Sequence, residues 1–271
     1  MVTGWEFERR VHFDEIVVNY DKARPEYPSE LFADVFNYVK GKKALEIGAG
    51  TGKATKPFLD AGYDVTAVEL GANMSEFLRA KFENLNVINA AFEEVELEYD
   101  TYDLIYAGSA FHWVDQSVGI PKVLRTLKSG GVFALFRYNN LSPVNDELDD
   151  EIFKVFEKHY FTFYTSKPKI RLPKRTSEDF LTPERMESHF HFKDLKDFGF
   201  TDVVHNLYEQ TFTFTSDEYI AYIDTMADNR GLPEENKTAL YAGVKEAIDN
   251  FGGIHGENMV FQLYMGRIPP V

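Results

Sequence analysis

The chain contains no cysteine among its 271 residues, so disulfide bonds, thiolate metal ligands and a cysteine nucleophile are all excluded. It also lacks any apolar run that approaches the roughly 20 residues required by a membrane-spanning helix. The first ten residues are charged and aromatic, whereas a secretory signal would be apolar. From these absences we expect a cytoplasmic protein with no membrane partner.

Basic residues are in short supply, since 29 lysines and arginines stand against 44 acidic residues and the formal net charge is −15. An acidic surface repels phosphate backbones, so we expect no nucleic-acid partner. A small anionic substrate would need its own arginine or lysine inside the pocket.

The basic loop 167–175 is interpreted as a solvated connector. His189 and His191 lie near Asp194 without a further ligand pattern, so we predict surface residues and no metal site.

Short apolar segments alternate with helical patterns through the first half of the chain. The predicted strands are Lys43 to Ile47, Tyr63 to Leu70, Asn86 to Asn89, Tyr102 to Ala107 and Val132 to Phe136. Amphipathic helices are predicted between them and over residues 30–39, where apolar side chains recur at helical spacing. This alternation predicts a parallel sheet with helices on both faces, which binds ligands at the carboxyl ends of its strands.

The pattern changes after Tyr138. Residues 203–215 and 258–268 are predicted strands, and the residues between them predict helices over about 216–228 and 233–250. Two late strands joined by a helical hairpin are typical of a closing antiparallel pair that carries an inserted cap.

A glycine-rich loop, Gly48-Ala49-Gly50-Thr51-Gly52, lies between a predicted strand and a predicted helix. A dinucleotide site requires G-x-G-x-x-G, but Lys53 occupies the place of the third glycine. A phosphate-binding P-loop requires four residues before its Gly-Lys pair, and only three separate Gly48 from Gly52. Both phosphate-binding interpretations therefore fail on spacing.

Two glutamates end the first two strands. Glu46 lies two residues before Gly48 of the glycine loop, where a carboxylate suits an ammonium group better than a pyrophosphate. Glu69 lies 21 residues beyond Gly48, the distance at which acidic residues accept hydrogen bonds from ribose hydroxyls. An amine partner and a ribose partner together indicate a nucleoside that bears an amino acid, and S-adenosylmethionine has both parts.

Several segments resemble the motifs of class I S-adenosylmethionine-dependent methyltransferases, in the type 11 branch that includes trans-aconitate methyltransferases. The segments are LEIGAGTGKAT, VTAVELGANM, NAAFEEVEL, YDLIYAGSAFHWVD and LKSGGVFALFRYN, which follow the predicted strands in order. VVNYDKARPEYPSELF resembles the segment that closes over the cofactor, and YIAYIDTMADNRGLPEENK resembles the cap of that family.

The resemblance implies an α/β, Rossmann-like fold with a mostly parallel seven-stranded sheet and a helical cap inserted near the C-terminus. Residues 1–40 would form the closing segment, residues 41–140 the cofactor-binding core, and residues 141–271 the cap with the closing strands. The implied cofactor is S-adenosyl-L-methionine. The implied reaction is methyl transfer to an oxygen, with a carboxylate as one option, of a small-molecule acceptor. Monomer and homodimer both stay open.

The resemblance also carries roles onto individual residues. The expected cofactor-binding residues are Tyr20, Arg24, Glu46, Gly48, Ala49, Gly50, Glu69, Leu70, Met74, Ala91, Phe92, Ala107 and Phe111. The expected substrate residues are His112, Trp113, Arg137 and Tyr222. His112 is predicted either to orient the acceptor or to act as a general base. The alternatives are a nicotinamide-dependent oxidoreductase, which the glycine spacing disfavours, and a non-catalytic cofactor-binding protein.

Overall fold

Seven strands form a single sheet within residues 14–167, 169 and 174–270, which a computed structural model describes. The strands are β1 Lys43–Ile47, β2 Asp64–Glu69, β3 Asn86–Asn89, β4 Tyr102–Gly108, β5 Leu127–Asn140, β6 Thr201–Thr215 and β7 Ile254–Arg267. Their spatial order is β3-β2-β1-β4-β5-β7-β6. Strands β1 to β5 pair in parallel, and β7 is antiparallel to both β5 and β6. The expected mostly parallel seven-stranded sheet is confirmed.

Helices connect the strands and form the cap. The α-helices are Val17–Ala23, Ser29–Tyr38, Thr55–Asp60, Ala72–Lys81, Gln116–Thr126, Asp146–His159, Pro183–Phe190, Ser216–Asp224, Ala227–Arg230 and Glu234–Asn250. Local capping explains several of their starts. The side chain of Asn145 accepts hydrogen bonds from the amides of Glu147 and Leu148, and Thr215 forms a capping box with Glu218.

Both faces of the sheet are buried, because alternate residues of the central strands enter two separate apolar clusters. Along β4, Leu104 and Tyr106 pack on one face while Ile105 and Ala107 pack on the other. This period of two is the geometry of an extended strand covered by helices on both sides. Only the strand ends are therefore open to a ligand.

The cap joins the cluster that contains Leu104. Helix Glu234–Asn250 packs against helices Asp146–His159 and Ser216–Asp224, and helix Val17–Ala23 packs against Ser216–Asp224. Buried residues from the N-terminal segment, the sheet and the cap, such as Leu31 and Leu240, share this one apolar cluster. The cap is thus continuous with the core of the sheet.

Some predicted bounds differ from the structure, most of all those of the fifth strand and of the first late helix. The fifth strand extends to Asn140 because β5 pairs with β7 from Val132 to Asn140. The predicted helix over 216–228 divides at Thr225, whose hydroxyl donates to the carbonyl of Tyr222. The closing segment is described only from Asp14 onward, and residues 168 and 170–173 of the basic loop also lie outside the described residues.

The prediction that His189 lies on the surface is wrong. His189 is buried, and its Nδ1 lies 3.2 Å from Oε1 of Gln262, a fully buried residue of β7. His189 belongs to helix Pro183–Phe190, whose Met186 and Phe190 join the second apolar cluster, and the sequence pattern around His189 does not indicate this packing. Burial lowers the pKa of His189 to about 4, and the charge of Arg137 adds to this effect.

Candidate active site

A cavity of about 930 Å³ lies at the carboxyl ends of β1, β2 and β4 and beneath the cap. We call one side of it the strand-end wall. It comprises residues 46–51, 53–54, 68–71, 74, 92, 108–110, 112–114 and 137–138. The opposite side is the cap wall, which comprises residues 156, 160–161, 167 and 226–229. The N-terminal segment adds Asp14, Tyr20, Arg24, Pro25 and Tyr27.

The glycine loop adopts a backbone that requires glycine at its first position. Gly48 has φ of +67°, and a Cβ built on it would lie 2.5 Å from the Cβ of Ala110. Gly50 has φ of +56°, and a Cβ there would meet no atom within 4 Å. The loop therefore approaches the end of β4 closely at Gly48 and borders open space at Gly50.

Glu69 holds this loop against the end of β2. Its two carboxylate oxygens each accept one backbone hydrogen bond of 2.8 Å, from the amides of Gly71 and Gly50. Burial raises the pKa of Glu69, and these two hydrogen bonds oppose the shift. Each carboxylate oxygen can accept two hydrogen bonds, so Glu69 keeps acceptor capacity for a ligand hydroxyl.

Glu46 is a buried carboxylate with neutral partners. Its Oε2 accepts hydrogen bonds from the hydroxyls of Thr55 at 2.5 Å and Tyr106 at 3.0 Å. Burial raises the pKa of Glu46 to about 8, and no cation among its described neighbours opposes the shift. A buried carboxylate without a cation is costly, so an ammonium group bound in the cavity would stabilise the ionised form.

Arg24 places a positively charged group without an anionic partner among the described residues in the same cavity. Its guanidinium donates to the hydroxyl of Tyr138 at 2.7 Å and to the carbonyl of Thr225 at 2.8 Å. The Nε of Arg24 is buried without a hydrogen-bond partner among the described atoms. The rings of Tyr20 and Tyr222 flank the guanidinium at 5.2 and 5.8 Å. A buried guanidinium whose described partners are neutral is suited to bind a carboxylate.

Arg137 and His112 lie together on the strand-end wall. Arg137 donates to the carbonyl of His189 at 2.8 Å, and burial lowers its pKa. Burial, followed by the charge of Arg137, holds the pKa of His112 well below its ordinary value. His112 is consequently neutral near pH 7, next to a cation.

Most of the predicted site residues line the cavity. Those that do are Tyr20, Arg24, Glu46, Gly48, Ala49, Gly50, Glu69, Leu70, Met74, Phe92, His112, Trp113 and Arg137. Four do not, namely Ala91, Ala107, Phe111 and Tyr222. Their individual roles in binding stay predictions.

The four residues outside the wall have packing or backbone functions. Ala107 faces the second apolar cluster because strand side chains alternate, and Phe111 packs against Phe133 with ring centroids 5.0 Å apart. Tyr222 stacks on Phe214 at 5.3 Å, so it supports Arg24 from behind. The carbonyl of Ala91 accepts from the amide of Glu94 and thereby closes the turn that carries Phe92.

Lys122 contributes to the site although sequence reasoning did not identify it. It is 2% exposed, and its Nζ donates to the carbonyls of Phe92, Glu93 and Val95, each at 2.7 Å. These bonds fix the turn that places Phe92 in the cavity wall. A lysine within the apolar stripe of its helix, next to Val123, was the available signal.

Comparisons with known proteins agree with this geometry. Residues 45–135 match the family model described as a methyltransferase domain, and this range contains both glutamates, the glycine loop and His112. By this match, residues 45–135 form a methyltransferase domain. The matched range covers strands β1 to β4 and most of β5, whereas the cap lies outside it.

Individual relatives extend the comparison beyond this domain. An uncharacterised methyltransferase of Mycobacterium bovis is 35% identical over 123 residues. The matched region is 45% of this chain and 50% of the relative, so the chain spans about half the length of this relative. A malonyl-[acyl-carrier protein] O-methyltransferase of Acetivibrio thermocellus is 25% identical over 85% of this chain and 82% of the relative. A protein of Anaeromyxobacter dehalogenans assigned as a type II methyltransferase has the same fold, with a TM-score of 0.65, 22% identity and coverage of 92% of this chain and 99% of that one.

The described residues include neither a membrane-spanning helix nor a metal-binding cluster. None of the helices in this part of the chain is both long and apolar enough to cross a membrane. Likewise, the described histidines, aspartates and glutamates form no group of three or more suited to a metal ion.

Proposed function

We propose that this chain transfers the methyl group of S-adenosylmethionine to an oxygen of a small anionic acceptor. The observation that carries the proposal is one cavity of a methyltransferase domain in which a buried carboxyl group and two guanidinium groups have no ionic partner among the described residues. Glu46 offers an unbalanced carboxylate, and Arg24 and Arg137 offer guanidinium groups whose described hydrogen-bond partners are neutral.

The strand-end wall fits the parts of the cofactor. Glu46 would hold the ammonium group and the Nε of Arg24 the carboxylate of the methionine portion, because each group lacks a charged partner of its own. Glu69 would accept hydrogen bonds from the ribose hydroxyls with its remaining lone pairs. Phe92, positioned by Lys122, would pack on the adenine.

Arg137 favours an anionic acceptor. Its guanidinium borders the cavity beside a neutral His112, and its recorded bond is to a carbonyl oxygen rather than to a carboxylate. A guanidinium binds a carboxylate with two parallel hydrogen bonds, which fixes both position and orientation. The name of the Acetivibrio relative, an O-methyltransferase, supports transfer to oxygen.

The chemistry requires little from the protein beyond alignment. The bound cofactor supplies an electrophilic methyl group on a positively charged sulfur. The acceptor oxygen forms a bond to the methyl carbon while the carbon–sulfur bond breaks, and the bonding pair remains on sulfur. A carboxylate acceptor is already ionised near pH 7 and has no proton to lose. His112 therefore orients the acceptor.

A methyl-transfer screen with labelled cofactor over carboxylates, phenols and amines tests this proposal. We expect label in carboxylic esters, which are released by mild alkali, and loss of that transfer in Arg137→Met. The control Lys128→Met removes a lysine that pairs with Asp103, outside the cavity, and should leave transfer unchanged. Label that appears only in alkali-stable amine products would contradict an oxygen acceptor.

A further inference from the structure

The cap wall differs in chemistry from the strand-end wall. Its side chains include the half-buried Phe156, Phe161 and Met226 and the buried ring of Tyr160. Phe156, Phe161 and Met226 pack against the apolar cluster that contains Leu240 and Val244, so the protein core supports them from behind. These side chains give the cap wall an apolar surface toward the cavity.

The polar groups of the cap wall are bonded to one another. The ammonium of Lys167 donates to the carboxylate of Asp228 and, at 2.7 Å, to the hydroxyl of Tyr160. The hydroxyl of Tyr164 donates to the carbonyl of Asp228 at 2.8 Å. In contrast to Glu46 and Arg24, the ions of this wall already neutralise each other.

This cluster stands where the cap wall meets solvent. The side chains of Lys167 and Asp228 are 36% and 44% exposed although both line the cavity. The ammonium of Lys167 also lies 5.2 and 4.7 Å from the ring centroids of Tyr160 and Tyr164, which holds it at the rim. The apolar side chains of the cap wall are therefore bordered by a closed polar rim on one side and by Arg137 and His112 across the cavity.

We propose that the cap wall binds the apolar body of the acceptor, and hence that the acceptor is an amphiphilic carboxylate of the alkanoate or arylalkanoate class. This inference rests on the proposed function, because Arg137 must hold the carboxylate head. The single charge at one side and the carbon surface at the other match a molecule with one anionic end and one apolar end. Each methylene group removed from water strengthens binding about fourfold.

Calorimetric titration of straight-chain carboxylates, from butanoate to decanoate, into the protein saturated with S-adenosylhomocysteine tests the inference. We expect the dissociation constant to fall about fourfold per added methylene until the cap wall is covered. Succinate and glutarate, which carry a second carboxylate, should bind more weakly than the monocarboxylates of equal length. A dissociation constant that is independent of chain length, or tighter binding of the dicarboxylates, would overturn the inference.

Variants localise the effect to the cap wall. Phe161→Ala should weaken decanoate binding at least tenfold and leave butanoate nearly unchanged, and Met226→Ala should act in the same direction less strongly. Phe163→Ala is the matched control, because Phe163 belongs to the same segment but is 46% exposed and outside the cavity. Equal losses for butanoate and decanoate in both cap-wall variants would refute the assignment.

The titration separates this inference from the proposed function. If S-adenosylhomocysteine does not bind, the proposed function fails. If it binds with unchanged affinity in Phe161→Ala while chain length has no effect, only the cap-wall inference fails.

Discussion

The strand-end wall and the cap wall face the same cavity, but different chemical groups line them. The strand-end wall comprises backbone amides, left-handed glycines and ionisable side chains whose pKa values burial shifts, as for Glu46 and His112. The cap wall uses ring faces and mutually paired polar groups. The first is dictated by the sheet, since residues that follow parallel strands converge at one edge. The second depends on packing between helices of the cap.

The largest expected effect is that of Gly48→Ala on the strand-end wall. Its Cβ would add a clash with Ala110 to the strain of a left-handed backbone, so S-adenosylhomocysteine should bind at least 100-fold more weakly, an order-of-magnitude expectation. Gly62→Ala is the control, because Gly62 has φ of +77° but a Cβ there would meet no atom within 4 Å. Both variants should lose roughly 1–2 kcal/mol of unfolding free energy through strain. Equal cofactor affinities in the two variants would remove Gly48 from the site.

Glu69→Ala should have the next largest effect. It removes the bonds to Gly50 and Gly71 as well as those offered to the ribose, so cofactor affinity should fall by about 1.5–3 kcal/mol, or roughly 10- to 150-fold. Asp64→Ala, at the exposed opposite end of β2, should leave affinity unchanged. Calorimetry that finds wild-type affinity in folded Glu69→Ala would contradict this role.

The pKa of Glu46 predicts a pH dependence. Folding raises this pKa from its ordinary value of 4.5 to about 8, so the unliganded folded chain keeps a proton that the unfolded chain releases between those values. Glu46 should therefore lower the free energy of unfolding as pH rises through this window. Binding of an ammonium group favours the ionised form, so cofactor affinity should rise with pH by up to about tenfold per unit below pH 8.

Glu46→Gln isolates this contribution. The variant should lose the part of the pH dependence that wild type shows between pH 6 and 8, both in thermal unfolding and in cofactor affinity. If wild type and Glu46→Gln have the same two pH profiles, then Glu46 does not titrate on binding.

The smallest effect is expected for His112→Gln. Because His112 is neutral and the acceptor is already ionised, turnover should fall only a few-fold, with an unchanged pH profile and unchanged cofactor affinity. A fall of 10²–10⁴-fold, the usual contribution of a general base, would instead identify His112 as the base.

The strand-end wall could largely be predicted from the sequence, and the cap wall could not. Glu46, Glu69 and the glycine loop follow short apolar runs, and this local pattern both predicts the strands and marks their ends. Ala107 and Phe111, which were assigned from the family resemblance, do not line the cavity because their side chains pack into the second apolar cluster. The next residue in the chain lines the cavity in each case, Gly108 after Ala107 and His112 after Phe111.

The cap wall depends on contacts between distant segments. Lys167 meets Asp228 across 61 positions of the chain, and Arg24 reaches Thr225 across 201. Hydrophobic periodicity predicts the helices but not which of their faces meet. The sequence pattern therefore did not indicate that Phe161 and Met226 line the cavity. The burial of His189, a residue of helix Pro183–Phe190 that contacts Gln262 and Phe180, was missed for the same reason.

The most direct test of the central claim is calorimetric titration of S-adenosylhomocysteine into wild type, Gly48→Ala and Phe161→Ala, with NADH titrated in parallel. We predict one-to-one binding of S-adenosylhomocysteine to wild type, equal affinity in Phe161→Ala, a loss of at least about 100-fold in Gly48→Ala, and no binding of NADH. Binding of NADH without S-adenosylhomocysteine, or loss of S-adenosylhomocysteine binding in Phe161→Ala but not in Gly48→Ala, would contradict the account.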